Sequence, residues 1–129
     1  MAQKILIIDD DPDIIEVATM ILETQDYEVM TARHGVEGLA RLREMKPDLI
    51  ILDMLMPKMD GFAVYKELQT PAWAEYRDIP ILIFSSVDEA TSRQRYELET
   101  GSSIAFGDYV EKPLVPAVLL EKVAQMLDR

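Results

Sequence analysis

Three short runs constrain the fold more than anything else in this chain: "KILII" (residues 4–8), "LIIL" (49–52) and "ILIF" (81–84). After Lys4 each is apolar at consecutive positions. A strand with one face in water alternates apolar and polar residues, so an unbroken run of this length belongs to a strand buried on both faces. Amphipathic stretches separate the runs. After the first, Asp11-Pro12 reads as an N-cap followed by proline at the first helical position, and Ile14, Val17, Ile21 and Leu22 share one helical face. "YEVMTA" (27–32) reads as a second strand, and a helix from about Gly35 to Met45 ends before Lys46-Pro47. Gly61 to Gln69 continues as a helix with Val64, Tyr65 and Leu68 inward, and "YVE" (109–111) is a short fifth strand. The last helix runs from Val115 to Leu127, with Val115, Val118, Leu119, Val123 and Met126 at helical spacing. Buried strands alternating with helices predict an α/β chain, a (βα)5 doubly wound five-stranded parallel sheet covered on both faces.

At 129 residues the chain is expected to form one domain, residues 1–129, with no repeat, low-complexity segment or linker. The absence of cysteine excludes disulfides and thiolate metal sites and makes a cytoplasmic home the default. No apolar run approaches the roughly 20 residues that cross a bilayer, and the opening "MAQKILIIDDD" runs straight into acids, unlike a signal peptide. A net charge of −11 argues against nucleic acid or an anionic membrane as the direct partner.

In an open parallel sheet, ligands bind beyond the carboxyl ends of the strands, where strand order reverses. The residues just past each strand are Asp9 and Asp10, then Asp53, then Ser85 and Ser86, then Lys112. Asp53, with apolar residues on both sides, would be costly to bury uncompensated. Crowded carboxylates repel, and a divalent cation reverses that balance. Two or three carboxylate oxygens, a carbonyl and room for water suit Mg²⁺, with Mn²⁺ as a substitute. Lys112 suits a phosphoryl oxygen, or pairing with Asp53 when no phosphoryl is present, and Ser85 offers a hydroxyl donor. Such a set around one carboxylate is what in-line phosphoryl transfer needs, with Asp53 as nucleophile.

Taken in order and spacing, "ILIIDDDPD", "LIILDMLMPKMDG", "PILIFSS" and "DYVEKP" resemble the receiver domain of two-component response regulators, the chemotaxis-regulator family. The resemblance covers essentially the whole chain. It implies a flavodoxin-like sheet of strand order 2-1-3-4-5. It implies that Asp53 is the phosphoacceptor, taking phosphate from a sensor histidine kinase or a histidine phosphotransfer protein. It implies that Asp10, Asp53 and the backbone carbonyl of Leu55 bind Mg²⁺ with Asp9 assisting, that Ser85 and Lys112 hold the phosphoryl group, and that Tyr109 is an aromatic switch partnered with Ser85. The downstream target is open. Phosphorylation would remodel the face made by the helix between strands four and five, strand five and the last helix, in a monomer or a phosphorylation-linked homodimer. The chain reads as a single-domain regulator or as a receiver cut from a longer protein.

Plainer roles account for other residues. Asp11 and Asp13 serve the helix start, Asp60-Gly61 marks a turn, Met54, Met56 and Met59 fill gaps, and His34 is an exposed turn residue. A phosphohydrolase with an aspartyl nucleophile would need an acid two residues on, where Leu55 stands; a degenerate scaffold would have lost part of the set. Two departures from the family stand out. The segment from Ser85 to Lys112 is long and polar, so the helix there is expected to be short or loosely docked. "TPAWAEYRDIP" is also extended, with Trp73 capping the core. The resemblance implies that side chains two residues after Asp53 and Ser85 influence access of the hydrolytic water, and with apolar Leu55 and Val87 there slow self-dephosphorylation is expected.

Overall fold

The computed structural model describes residues 2–53, 61–85, 109–111 and 113–128, with Phe62, Ser85, Tyr109 and Glu111 placed by their backbones alone. The five strands are β1 (Lys4–Ile8), β2 (Glu28–Ala32), β3 (Leu49–Asp53), β4 (Ile81–Ser85) and β5 (Tyr109–Glu111). The helices are α1 (Pro12–Glu23), α2 (Gly35–Met45), α3 (Gly61–Leu68), a 3₁₀ segment (Pro71–Tyr76) and the C-terminal α4 (Pro116–Leu127). All strand pairs are parallel and the order is β2-β1-β3-β4-β5, as expected. Among the described residues, no helix is long and apolar enough to cross a membrane.

Consecutive apolar residues in β1 and β3 feed two separate cores, because successive side chains leave a strand on opposite faces. Leu6, Ile8, Ile50, Leu52 and Ile83 pack with Leu42, Val64, Leu68, Trp73 and Tyr76 on one side. Ile5, Ile7, Ile51, Leu82 and Phe84 pack with Ala18, Leu22, Leu119, Val123 and Met126 on the other. β3, at the centre of the sheet, is buried at every position.

The helix ends follow local chemistry. Asp11 N-caps α1 by accepting the Asp13 N–H at 2.9 Å, with Pro12 at the first helical position. α2 ends at Lys46, which adopts a left-handed φ of 47° and donates its N–H to the Leu42 carbonyl. His34 does more than turn the chain: its Nδ1 accepts the Glu37 N–H at 3.2 Å, and the Glu37 carboxylate accepts the Arg33 N–H at 3.2 Å. His34 satisfies the Glu37 N–H as a capping-box serine or threonine would, while the Glu37 carboxylate reaches one residue further back, to the residue before the cap. His34→Ala is expected to lower stability by about 1 kcal/mol in urea denaturation, and His34→Asp to preserve it. A loss of only a few tenths would show the cap to be unimportant.

Three inward assignments need correction. Val17 is 45% exposed, because α1 centres its buried stripe on Ala18 and Leu22 and Val17 falls beyond its edge. Val118, 50% exposed, lies similarly off the Leu119–Val123–Met126 stripe. Val115, 53% exposed, is the N-cap of α4, so helical periodicity does not govern it. Trp73 does cap the core, from the 3₁₀ segment: Nε1 donates to Glu67 Oε1 at 3.0 Å, the Arg43 guanidinium lies 4.0 Å above the ring, and Tyr76 packs 5.5 Å away. Desolvation on burial, reinforced by a hydrogen bond to and the charge of Glu75, pushes the Tyr76 hydroxyl above its ordinary range.

Candidate functional site

The register of the sheet builds the site. Ile8 pairs with Leu52 across β1 and β3, so the next residues, Asp9 and Asp53, emerge side by side from the carboxyl end of the sheet. Asp10 follows on the same rim. One carboxylate oxygen from each of Asp9, Asp10 and Asp53 can be chosen so that all lie within 4.8 Å of one another. Asp9 is fully buried and Asp53 is 4% exposed, while Asp10 is half-buried and opens the cluster to solvent.

The backbone holds this rim from two directions. The Asp9 N–H donates to the Ala32 carbonyl at 3.0 Å, carrying the β1–β2 ladder one residue past its last paired position. The Asp9 carboxylate accepts the Asp11 N–H at 3.0 Å, which ties the cluster to the residue that caps α1. Asp53 is the last residue of β3 and sits in register with Phe84 of β4. Ser85, one position further, ends β4 and pairs with Glu111, and Tyr109 opens β5 opposite Ile83.

These acids fit a hard divalent cation. Octahedral oxygen ligands at about 2.1 Å from Mg²⁺ stand about 3 Å apart when adjacent and about 4.2 Å apart when opposite. Oxygens within 4.8 Å of one another are near the opposite spacing, and adjacent ligands would close by up to about 2 Å more, a shift that carboxylate rotation can supply. Three like charges held so close repel, and a cation between them turns that repulsion into ligation.

Of the residues expected at the site, the structure brings together Asp9, Asp10 and Asp53. It places the backbone of Ser85 at the carboxyl end of β4, and that of Tyr109 at the start of the neighbouring β5, two paired positions below Ser85. Leu55, Ser86, Val87 and Lys112 lie outside the described residues, as does the segment in which a short or loosely docked helix was expected. Two supporting residues carried weak sequence signals. His34, three residues before Glu37, is legible as a cap only if histidine is admitted to the N-cap set, and Gly38 looks like an ordinary helix glycine.

A family model, the response regulator receiver domain, matches residues 5–124. The chain is similar to the alkaline phosphatase synthesis transcriptional regulatory protein PhoP of Bacillus subtilis, 34% identical over all of this chain and 50% of that protein. It is 34% identical to the DNA-binding dual master transcriptional regulator RpaA of Synechocystis, over 98% of this chain and 49% of that protein. It thus spans about half the length of the curated relatives it matches. The solved structure of chemotaxis protein CheY4 of Vibrio cholerae superposes with a TM-score of 0.79 at 28% identity, covering 98% of this chain and 99% of that one. The match runs from Ile5 in β1 to Ala124 in α4, spanning both strands that carry the acids, and the chain belongs to the response regulator receiver domain family of two-component systems.

Proposed function

We propose that residues 1–129 form a single receiver in which Asp53 accepts a phosphoryl group in the presence of Mg²⁺. The observation that carries this reading is the position of Asp53. A nearly buried carboxylate at the end of the central strand shares a 4.8 Å cluster with Asp9 and Asp10. In the proposed step an Asp53 oxygen attacks phosphorus in line, the bond from phosphorus to the donor nitrogen breaks, and the departing imidazole takes up a proton. An aspartyl phosphate remains. Asp10, Asp53 and the Leu55 carbonyl would hold the metal, with Asp9 assisting. Bound Mg²⁺ supplies charge neutralisation and a fixed orientation for the phosphoryl oxygens. Lys112 and Ser85 would hold the phosphoryl group, and Tyr109 would follow Ser85 as the switch.

The donor is a histidine kinase, directly or through a phosphotransfer protein, and the setting is the cytoplasm. The chemistry is self-modification without turnover of a free substrate. Phosphorylation shifts a two-state equilibrium and thereby alters a protein-binding face.

The test is incubation with Mg²⁺ and acetyl phosphate followed by intact-mass measurement. One phosphoryl addition, abolished by EDTA, is expected; no addition to a protein that binds Mg²⁺ would sink the reading. Mg²⁺ alone should also raise the melting temperature. The gain is about 2.7 kcal/mol at a hundred times the dissociation constant, and EDTA should reverse it. A melting temperature indifferent to Mg²⁺ would contradict the metal site.

A further inference from the structure

We propose that Gly38 is a positioning residue for the carboxylate rim, acting through Ile8. This rests on the reading of the rim as a Mg²⁺ site. Gly38 is buried on the face of α2 that meets β1. A methyl group at Gly38 would stand 2.5 Å from Ile8 Cδ1, 2.9 Å from Cγ1 and 3.1 Å from Cγ2. The first contact involves the end of a side chain and could yield by itself. The other two are the branches at Cβ. Rotation about χ1 only exchanges one branch for the other, and β-branched side chains are stiff there. Relief therefore requires α2 to lift or the strand to move.

Ile8 is the last residue of β1 and the last paired with both neighbours, Ala32 and Leu52. Behind it the strand is held by two ladders. In front of it lie Asp9, bonded to the Ala32 carbonyl, and Asp10. A push on Ile8 is therefore transmitted to the end that carries the acids. α2 in turn is held at its own start, where the Gly38 N–H donates to the His34 carbonyl at 2.9 Å and His34 caps the helix. The missing side chain at Gly38 thus sets how deep Ile8 sits, and with it the spacing of Asp9 and Asp10 from Asp53.

Two single substitutions and their combination test this by Mg²⁺ calorimetry on the full chain, at a temperature where each variant is shown by circular dichroism to be folded. Gly38→Ala overfills the contact and is expected to weaken Mg²⁺ binding about tenfold, in the range typical of residues that support metal ligands. Ile8→Ala removes Cγ1, Cγ2 and Cδ1, the three atoms an added methyl would meet, loosens the same contact, and is expected to weaken binding about tenfold. The double variant adds a methyl at position 38 into the space the Ile8 side chain has left and should return affinity to within about threefold of wild type. A merely structural role would lower the melting temperatures and leave the affinities of the folded proteins unchanged, which overturns the inference. So does an affinity lost in Gly38→Ala and not regained in the double variant. If Gly38→Ala does not fold, the remaining pair decides: Ile8→Ala weaker than wild type with the double variant restored supports the inference, and any other order overturns it. A wild type with no Mg²⁺ affinity would overturn the rim reading and this inference together. Normal wild-type binding with unaltered variants overturns this one alone.

Discussion

Asp53→Asn is expected to lose all acetyl-phosphate labelling while gaining stability in EDTA. The carboxamide has no anionic oxygen to attack phosphorus, so labelling should fall to background. The stability gain has a separate origin. Asp53 is 4% exposed and shares its 4.8 Å neighbourhood with Asp9 and Asp10. Unit charges at that separation oppose each other by about 3 kcal/mol at an effective dielectric of about 20. The other polar interactions of Asp53 offset part of that repulsion, so the net gain is expected to be smaller, about 1–2 kcal/mol, or on the order of 5 °C in melting temperature. Intact-mass measurement and thermal melts in EDTA read the two effects independently. Loss of labelling with a lowered melting temperature would mean that the variant had damaged the fold, and that the carboxylate contributes more than chemistry.

Trp73→Ala is expected to cause the largest loss of stability, about 3–5 kcal/mol by urea denaturation. The indole is 5% exposed and belongs to the core on the α2–α3 side of the sheet. Truncation leaves a cavity beside Leu68 and Tyr76, removes the N–H that Glu67 accepts at 3.0 Å, and takes the ring from beneath Arg43. Trp73→Phe separates these contributions. It keeps a ring under the guanidinium and most of the volume but not the donor, and is expected to lose about 1–2 kcal/mol. A loss below about 1 kcal/mol for Trp73→Ala would show that the 3₁₀ segment only lies against the core.

The sheet was legible because "LIIL" and "ILIF" are apolar at every position, a pattern that only two-sided burial explains. Leu49 through Leu52 are all at most 1% exposed. Strand order was not readable from those runs; it came with the family resemblance. Asp9, Asp10 and Asp53 were legible as a cluster because a parallel sheet gathers its strand ends on one rim, whatever the distance along the chain. The helices were less transparent. Apolar spacing located α1 and α4 but not the edge of each buried stripe, so Val17 and Val118 were placed inward when they face out. The 3₁₀ segment Pro71–Tyr76 is too short to show a period, and only its tryptophan gave it away. The Gly38–Ile8 contact was invisible for a different reason. It depends on how closely a helix approaches a strand, which no one-dimensional pattern encodes.

Roughly forty residues of chain separate Asp9 from Asp53, and the two meet only through the pairing of β1 with β3. β3 lies between β1 and β4, so the third strand in sequence completes what the first begins. During synthesis, therefore, a nascent chain that has exposed only β1, α1, β2 and α2 carries two of the acids and cannot assemble all three. The three acids come together in one step, when β3 docks beside β1, and Ser85 and Lys112 follow later in the chain. Loop closure over that distance must precede that docking, which makes the acid cluster a non-local reporter of folding.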